Sequence, residues 1–260
     1  MDLLAEDDAA GDPAANLALE EALVRACPAA PVLRLWRNTP CVVVGRAQRP
    51  EREADLAACA AAGVPVLRRA SGGGTVYHDP GNLNITLAVP GWAPGLAAEL
   101  ATLLAGVLTG LGVAATAGPR GIFAGRAKVS GLASQLTRAA SLAHATLLVT
   151  TPAARVTALL LPAPADPHRL DSRRSPVRPL AELAGGLTVT AARGAVLAAA
   201  ADRYGPLAPR PPCPAEAGWQ RRLLAERYRD STWQLAGHRG PAKRKEEAQW
   251  TTRPAASFTA

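Results

Sequence analysis

The sequence predicts a mixed α+β sheet rather than a regular doubly wound array, and three observations carry that reading. Helical and strand patterns interleave along the 260 residues without a steady βαβ rhythm. Residues 82–89 alternate: Leu83, Ile85, Leu87 and Val89 point one way, and Asn82, Asn84 and Thr86 the other. Apolar residues make up 48 % of the chain but aromatics only 4 %, so a substantial core has to be built from Ala, Leu and Val. The length fits one large domain or one domain plus an appendage.

Taken in order, residues 14–27 have helical spacing at Leu17, Ala18, Ala22 and Val24. Residues 32–36 and 41–45 read as strands across an Asn38-Thr39-Pro40 turn. A helix is expected over 51–62, ending at Gly63. A short strand over 65–69 then delivers Arg68 and Arg69 to a glycine loop. The strand over 82–89 has a polar face beside that loop, which suits either the wall of a polar site or an ordinary half-exposed strand. Residues 95–111 form an apolar helix that closes near Gly112. Three strands follow, over 121–124, 126–135 and 142–149. Lys128 and Ser130 are expected on one face of the second, and His144 and Thr146 share a face with Leu142 and Leu148 in the third. The stretches 152–161, 178–185, 188–203 and 217–228 read as helix, with a Pro-rich linker at 206–214. After Trp233 the chain turns basic and polar, so the expected domain covers 1–236 and residues 237–260 are expected to be a disordered tail. No internal repeat is visible.

The net charge of +8 points to an anionic partner or to a genome biased toward arginine codons. The cations do not form a stripe interleaved with aromatics, so nucleic acid is not the expected partner. Cys27, Cys41, Cys59 and Cys213 lack C-x-x-C spacing and do not resemble a secreted disulfide framework, which argues against a zinc site. Residues 1–10 are acidic and contain no apolar signal segment, and the apolar runs at 101–113 and 190–201 are too short or too interrupted to cross a bilayer. A cytoplasmic location without a membrane partner is the expectation.

Two features carry chemistry. Residues 68–84 run Arg68-Arg69-Ala70-Ser71-Gly72-Gly73-Gly74-Thr75-Val76-Tyr77-His78-Asp79-Pro80-Gly81-Asn82-Leu83-Asn84. Three successive glycines cost folding entropy, and their bare amides beside two arginines suit a cradle for phosphate or carboxylate; the alternative is a plain turn. The second feature is Lys128, the only lysine in the first 242 residues of a chain with 26 arginines. A compact ammonium differs chemically from a planar guanidinium, so a lysine retained in this background marks a candidate functional cation. Neither a Walker A sequence nor a dinucleotide fingerprint is present; Gly121 to Lys128 fails the Walker spacing. His78 and Asp79 read as base and orienter, or as a histidine entering an Asp79-Pro80-Gly81 turn. His144 by itself reads as a structural histidine.

Together these motifs resemble lipoate–protein ligases. Arg68-Arg69-x-Ser71-Gly72-Gly73-Gly74-x-Val76-x-His78-Asp79-x-Gly81-Asn82 is similar to the family signature, Lys128-Val129-Ser130-Gly131-x-Ala133-x-Gln135 to its second motif, and His144-Ala145-Thr146-Leu147-Leu148 to its third. Asn16 to Glu21 resembles the N-terminal helix, and Leu35-Trp36 to Gly45-Arg46-Ala47-Gln48 the strand pair after it. Ser172–Leu183 and Tyr228–Trp233 are weaker echoes, so the likeness spans roughly residues 12–235.

The resemblance implies the biotin/lipoate-ligase catalytic fold, class II synthetase-like, with largely antiparallel sheets flanked by helices. It implies a two-step reaction. ATP and the carboxylate of lipoate or octanoate give an acyl-adenylate, and a lysine of a lipoyl domain then takes the acyl group. By this likeness Lys128 holds the carboxylate and α-phosphate oxygens, and Arg69 adds a second cation. Gly72, Gly73 and Gly74 close over the intermediate, Val76 and Tyr77 border the adenine, and Asn82 and His144 line the acyl site. Ser71, Thr75, His78, Ser130, Gly131 and Thr146 complete the expected binding residues. Mg2+ is expected with ATP, with no metal-ligating side chains assigned. The implied partners are lipoyl domains of 2-oxoacid dehydrogenase E2 subunits or the glycine cleavage H-protein, with a separate accessory subunit in some relatives.

Two departures matter. The family usually carries an Asn-Asp pair before the lysine motif, whereas this chain reads Gly118-Pro119-Arg120-Gly121-Ile122. Ala145 stands where the family has Gly. Residues 237–260 are too few for the extra C-terminal domain that many ligases carry, so the likeness is to forms without it. A transferase using a preformed acyl donor and a non-catalytic lipoyl-domain-binding module remain as alternatives. A thiol mechanism is disfavoured, because no cysteine falls in 120–150.

Overall fold

The computed structural model describes residues 1–4 and 9–237; the expected tail lies outside the described residues from 238 onward. The elements are β1 (Asp2–Leu4), β2 (Ala10–Gly11), α1 (Pro13–Ala26), β3 (Val32–Asn38), β4 (Cys41–Val44), α2 (Pro50–Glu53), α3 (Leu56–Ala61), β5 (Val66–Arg68), β6 (Val76–His78), β7 (Asn82–Pro90), α4 (Leu96–Gly110), β8 (Ala115–Gly118), β9 (Gly121–Ala124), β10 (Ala127–Leu136), β11 (Ala140–Leu148), α5 (Ala153–Leu159), α6 (Val189–Tyr204), β12 (Ala208–Arg210), α7 (Pro214–Leu223) and α8 (Ser231–Ala236).

Among the described residues, one sheet of nine strands runs β12-β1-β3-β7-β11-β10-β9-β8, with β2 beside β3. It is antiparallel from β3 to β8 and parallel where β12, β1 and β3 meet. A second sheet, β5-β4-β6, stands apart from it. The expected mixed, largely antiparallel α+β fold is the observed one.

Strand alternation divides the core. Leu33, Leu35, Leu83, Ile85 and Leu87 cluster with Leu100, Leu104 and Leu108 of α4 and Val196 of α6. Val32, Trp36 and Leu142 join Leu17 and Leu23 of α1 and Tyr228 in a second cluster. Each such leucine contributes about 1.5–3 kcal/mol on burial. The small sheet closes on α3 and α5 through Val42, Val44, Cys59, Tyr77 and Leu159. Helix α1 starts on Asp12, whose carboxylate accepts from Ala14 N at 3.0 Å, with Pro13 at the first helical position.

Several expectations are corrected. The strands around Asn38-Thr39-Pro40 separate, β3 into the large sheet and β4 into the small one. The helix expected over 51–62 is two, because extended Ala54 bridges to Leu160 and Asp55 begins α3 by accepting from Ala58 N at 2.9 Å. Residues 178–185 hold only one 3-10 turn, Leu180–Glu182, where Pro179 precedes it and Gly185-Gly186 follow. The Pro-rich linker contains β12, which the Arg210 guanidinium pins to Asp2 at 2.6 Å and to Glu216 at 2.7 Å. The helix expected over 217–228 begins at Pro214 and loosens into a π turn over Leu224–Tyr228. The basic, polar composition after Trp233 does not end the fold there, for α8 continues to Ala236. Strands β1, β2, β6 and β8 had no expectation, being two to four residues long.

Candidate active site

The two arginines that enter the glycine loop have different tasks. Arg68 is buried and donates to the carbonyls of Gly45, Arg46 and Gln48 at 2.7–3.0 Å, and to those of Trp233 and Leu235 at 3.0 and 2.9 Å. It is a staple between the loop after β4 and α8. Arg69 turns the other way. It donates to Ser71 Oγ at 2.9 Å and to the carbonyls of Val43, Gly72 and Gly74 at 2.5–3.2 Å. Burial pulls its pKa down to about 10, against the opposing charges of Glu20 and Glu53.

With the loop carbonyls drawn onto Arg69, the N–H groups of Gly72, Gly73 and Gly74 have no hydrogen-bond partner among the described residues. Gly73 takes φ 83°, a left-handed conformation open to glycine. A Cβ on Gly45 would run into the Gly73 carbonyl, so two backbones meet where no side chain fits. Ser172 fixes the far side: Thr75 N donates to its Oγ at 2.8 Å, and Gln48 Nε2 donates to it at 3.0 Å. Arg174 completes this wall through Glu53 Oε2 at 2.9 Å and the Thr75 carbonyl at 3.3 Å.

These elements enclose a cavity of about 810 Å³ between the large sheet, the glycine loop, α1 and the segment 160–177. Its floor follows one rung of directly opposed residues, Trp36 on β3, Asn84 on β7 and Thr146 on β11, and continues to Gly131 on β10. Gly131 N donates to Thr146 Oγ1 at 3.0 Å, and Gly121 of β9 stands opposite Gly131.

Lys128 lines the cavity at this end, and its ammonium has no hydrogen-bonding partner among the described residues. Burial lowers its pKa to about 8, helped by the charges of Arg120, Arg174 and Arg69. A half-buried ammonium among guanidinium groups, with no acid beside it among the described residues, suits an anion. The carboxylates on the cavity wall, Glu20 and Asp171, are engaged elsewhere, Asp171 with Arg52 at 2.8 Å.

Glu20 anchors a buried relay. His144 Nδ1 meets Glu20 Oε1 at 2.7 Å, and His144 Nε2 meets Ser71 Oγ at 2.9 Å. Thr86 Oγ1 donates to Glu20 at 2.7 Å, and the Trp36 indole donates to Thr86 at 3.0 Å. Burial raises the Glu20 pKa, but His144 and these hydrogen bonds outweigh it and bring it to about 2. His78 is held neutral, its pKa pushed down to about 3 by burial and then by Arg69.

Of the residues singled out from the sequence, Arg69, Gly72, Gly73, Gly74 and Thr75 line the cavity, and so do Val76, Tyr77 and His78. Lys128, Gly131, His144 and Thr146 join them from β10 and β11. Three sit behind its wall. Ser71 is buried beneath the loop between Arg69 and His144. Asn82 lies two rungs past Asn84, opposite Leu148, and donates to Asn84 Oδ1 at 3.0 Å; Asn84 is the asparagine on the wall. Ser130 leaves the face of Lys128 because a bulge at Val129 shifts the register: Lys128 pairs with Phe123, and Ser130 with the core residue Ile122. Glu20, Trp36, Gln48, Asn84 and the 160–177 wall were not anticipated as site residues. The buried acid on an otherwise apolar face of α1 was the available signal for Glu20. No cysteine lines the cavity among the described residues, and burial raises the Cys41 pKa far above its usual range.

Comparison with known proteins gives three findings. The family described as the lipoyl protein ligase A/B catalytic domain matches residues 12–201. A provisionally named lipoate-protein ligase A from Aeropyrum pernix is 38 % identical over 157 residues, which cover 58 % of this chain and 60 % of that protein, less than two thirds of its length. Two solved structures share the fold. A lipoate-protein ligase A bound with ATP superposes with a TM-score of 0.78 at 25 % identity, over 90 % of this chain and 98 % of that one. A bipartite lipoate protein ligase from Thermoplasma acidophilum, studied with its E2 lipoyl domain, superposes with a TM-score of 0.77 at 26 % identity, over 92 % and 96 %. No helix among the described residues is long and apolar enough to cross a membrane.

Proposed function

The chain belongs to the lipoyl protein ligase A/B catalytic-domain family, and from that premise we propose that it is an ATP-dependent lipoate–protein ligase. It activates lipoate or octanoate as the acyl-adenylate and transfers the acyl group to a lysine of a lipoyl domain. The observation that carries this is Lys128, a half-buried ammonium on the floor of the cavity, without a hydrogen-bonding partner among the described residues and with a pKa brought to about 8. Adenylation brings a carboxylate against a phosphate, and stabilising that crowding of negative charge is a task for a preorganised cation. Lys128 holds the carboxylate and phosphate oxygens. The unpartnered N–H groups of Gly72, Gly73 and Gly74 receive further phosphate or acyl oxygens. Arg69 shapes these amides and lends its charge from behind them. Val76 and Tyr77 border the base, and the rung from Thr146 to Trp36 takes the acyl chain.

The relative with bound ATP and the relative studied with its E2 lipoyl domain support the nucleotide and the acceptor. The net charge of +8 suits an acidic acceptor domain, whether on an E2 subunit or an H-protein. The residues do not make a side-chain cage for Mg2+. Among the described residues no group of three His, Cys, Asp or Glu is placed to hold a metal, and both cavity carboxylates are already bonded.

The lack of an acid beside Lys128 also favours a second reading, transfer from a preformed acyl-adenylate. One experiment separates them: mass spectrometry of a purified lipoyl domain after incubation with this protein and lipoate, with and without MgATP, beside an arm supplied with lipoyl-AMP. An ATP-dependent lipoyl increment establishes the ligase. An increment from lipoyl-AMP alone establishes the transferase. No increment in any arm from folded protein overturns both.

A further inference from the structure

Cations gather at the Lys128 end of the cavity without acids to answer them. Pro119 and Arg120 form the two-residue loop between β8 and β9, closed by the direct pairing of Gly118 with Gly121. Lys128 reaches over the residue that follows this loop: a Cβ on Gly121 would stand 2.5 Å from Lys128 Cε and 3.3 Å from Nζ. The ammonium thus sits over the neighbour of Arg120, and Arg120 lines the same cavity. After burial, Arg120 is the foremost of the charges that lower the Lys128 pKa.

The facing wall adds two more. Lys128 N donates to the Pro176 carbonyl at 2.7 Å, and Lys128 bridges to Val177, which lays the segment 169–177 along β10. Arg169 and Arg173 line the cavity from this segment, while Arg174 is engaged by Glu53. Arg120, Arg169 and Arg173 are exposed and have neither hydrogen bond nor ion pair from their side chains among the described residues. Like charges facing one cavity repel each other, and a polyanion between them removes that repulsion. The donor set suits no divalent cation here: the cavity carboxylates Glu20 and Asp171 are bonded to His144 and Arg52.

We propose that Arg120, with Arg169 and Arg173, binds the β- and γ-phosphates of ATP directly, where a divalent cation would otherwise neutralise them, so that the metal-free polyanion is the preferred nucleotide. This rests on the reading of the cavity as the site of ATP-dependent adenylation. In that step a carboxylate oxygen of the acid bonds to the α-phosphorus. The bond from that phosphorus to the bridging oxygen breaks, and pyrophosphate leaves with the electron pair. A guanidinium offers phosphate a planar fork of N–H donors and a fixed positive charge, which meets the charge growing on the leaving group. A divalent cation on the polyphosphate occupies the same oxygens and cancels part of the charge that the arginines attract. Metal and arginines therefore compete for one set of oxygens.

The test is calorimetric titration of the whole protein with ATP and with AMP, each in EDTA and in excess Mg2+. The wild type is expected to bind ATP about tenfold tighter in EDTA than with Mg2+, and AMP, which lacks the outer phosphates, equally in both. Arg120→Asp, a change on an exposed loop, is expected to lose about tenfold for ATP in EDTA and to keep its affinity for AMP. ATP binding by the wild type that is equal or tighter with Mg2+ overturns the proposal, and that arm stands whatever the variant does. Unchanged ATP affinity in folded Arg120→Asp, or AMP weakened as much as ATP, also overturns it. Failure of both nucleotides to bind in every arm removes the ATP reading itself and the proposal with it, an outcome distinct from a preference for the metal complex.

Discussion

Arg68 and Trp233, 165 residues apart, hold each other by a reciprocal pair of hydrogen bonds. The guanidinium Nε donates to the Trp233 carbonyl at 3.0 Å, and the indole Nε1 donates to the Arg68 carbonyl at 3.1 Å. The same guanidinium serves the carbonyls of Gly45, Arg46, Gln48 and Leu235. Helix α8 therefore closes the fold onto the strand that feeds the glycine loop. Arg68→Ala leaves several buried carbonyls unpaired, and roughly 3 kcal/mol of stability is expected to go with them. Arg68→Lys should recover little, since three donors on one nitrogen do not reach a fan of carbonyls. Urea denaturation of the two variants checks this; a lysine variant as stable as the wild type would show that the fan is not needed.

Lys128→Ala should abolish acyl transfer while leaving the fold intact. Loss of a preorganised cation facing developing charge costs about 10²–10³ in rate. The melting temperature should be unchanged or slightly raised, because removal of an unpaired, desolvated ammonium relieves the protein of its burial cost. Lipoyl transfer followed by mass spectrometry, with a thermal melt on the same sample, reads both. Near-normal turnover would rule out the assigned role.

The lowered pKa of Lys128 predicts an alkaline limb. The lysine is cationic below about 8 and loses its proton as pH rises through that value. The kcat/KM for the acid should therefore fall above pH about 8. Lys128→Arg, permanently charged, should be slower overall but should lack that limb. A limb that survives unchanged in Lys128→Arg belongs to another group.

Glu20 predicts an acid effect of definite sign. Its folded pKa of about 2 lies below the ordinary 4.5, so the folded state binds fewer protons than the unfolded chain between those values. Its stabilisation is complete above pH 4.5 and is lost as pH falls toward 2. The stability difference between wild type and Glu20→Gln should shrink as pH falls through that window, measured by urea titration at stepped pH. A difference that grows between pH 4.5 and 2 would contradict the lowered Glu20 pKa.

Much of the cavity was legible because its chemistry is local in sequence. The run from Arg69 to His78 falls within ten residues, and one lysine stands out against 26 arginines. The alternation of Leu83, Ile85 and Leu87 with Asn82, Asn84 and Thr86 gave the right faces for β7. What failed were inferences needing the neighbouring strand. Perfect alternation put Ser130 beside Lys128, but a bulge at Val129, invisible in a single strand's pattern, turns it toward Ile122. Asn82 and Asn84 share a face, and only the register against β11 shows which of them reaches the cavity.

By itself the sequence determined the α+β class, the main helices, the glycine loop with its amides and the one lysine of the first 242 residues, because period, composition and spacing are properties of short windows. The tertiary structure decided the rest. It made Arg68 a staple and Arg69 a shaper of the loop, though they are adjacent in sequence. It brought Glu20, Ser71 and His144 into one relay across 124 residues, and it set 160–177 as the facing wall. Hydrogen-bond partners distant in sequence are fixed by how strands register and helices pack, and no local pattern encodes that pairing.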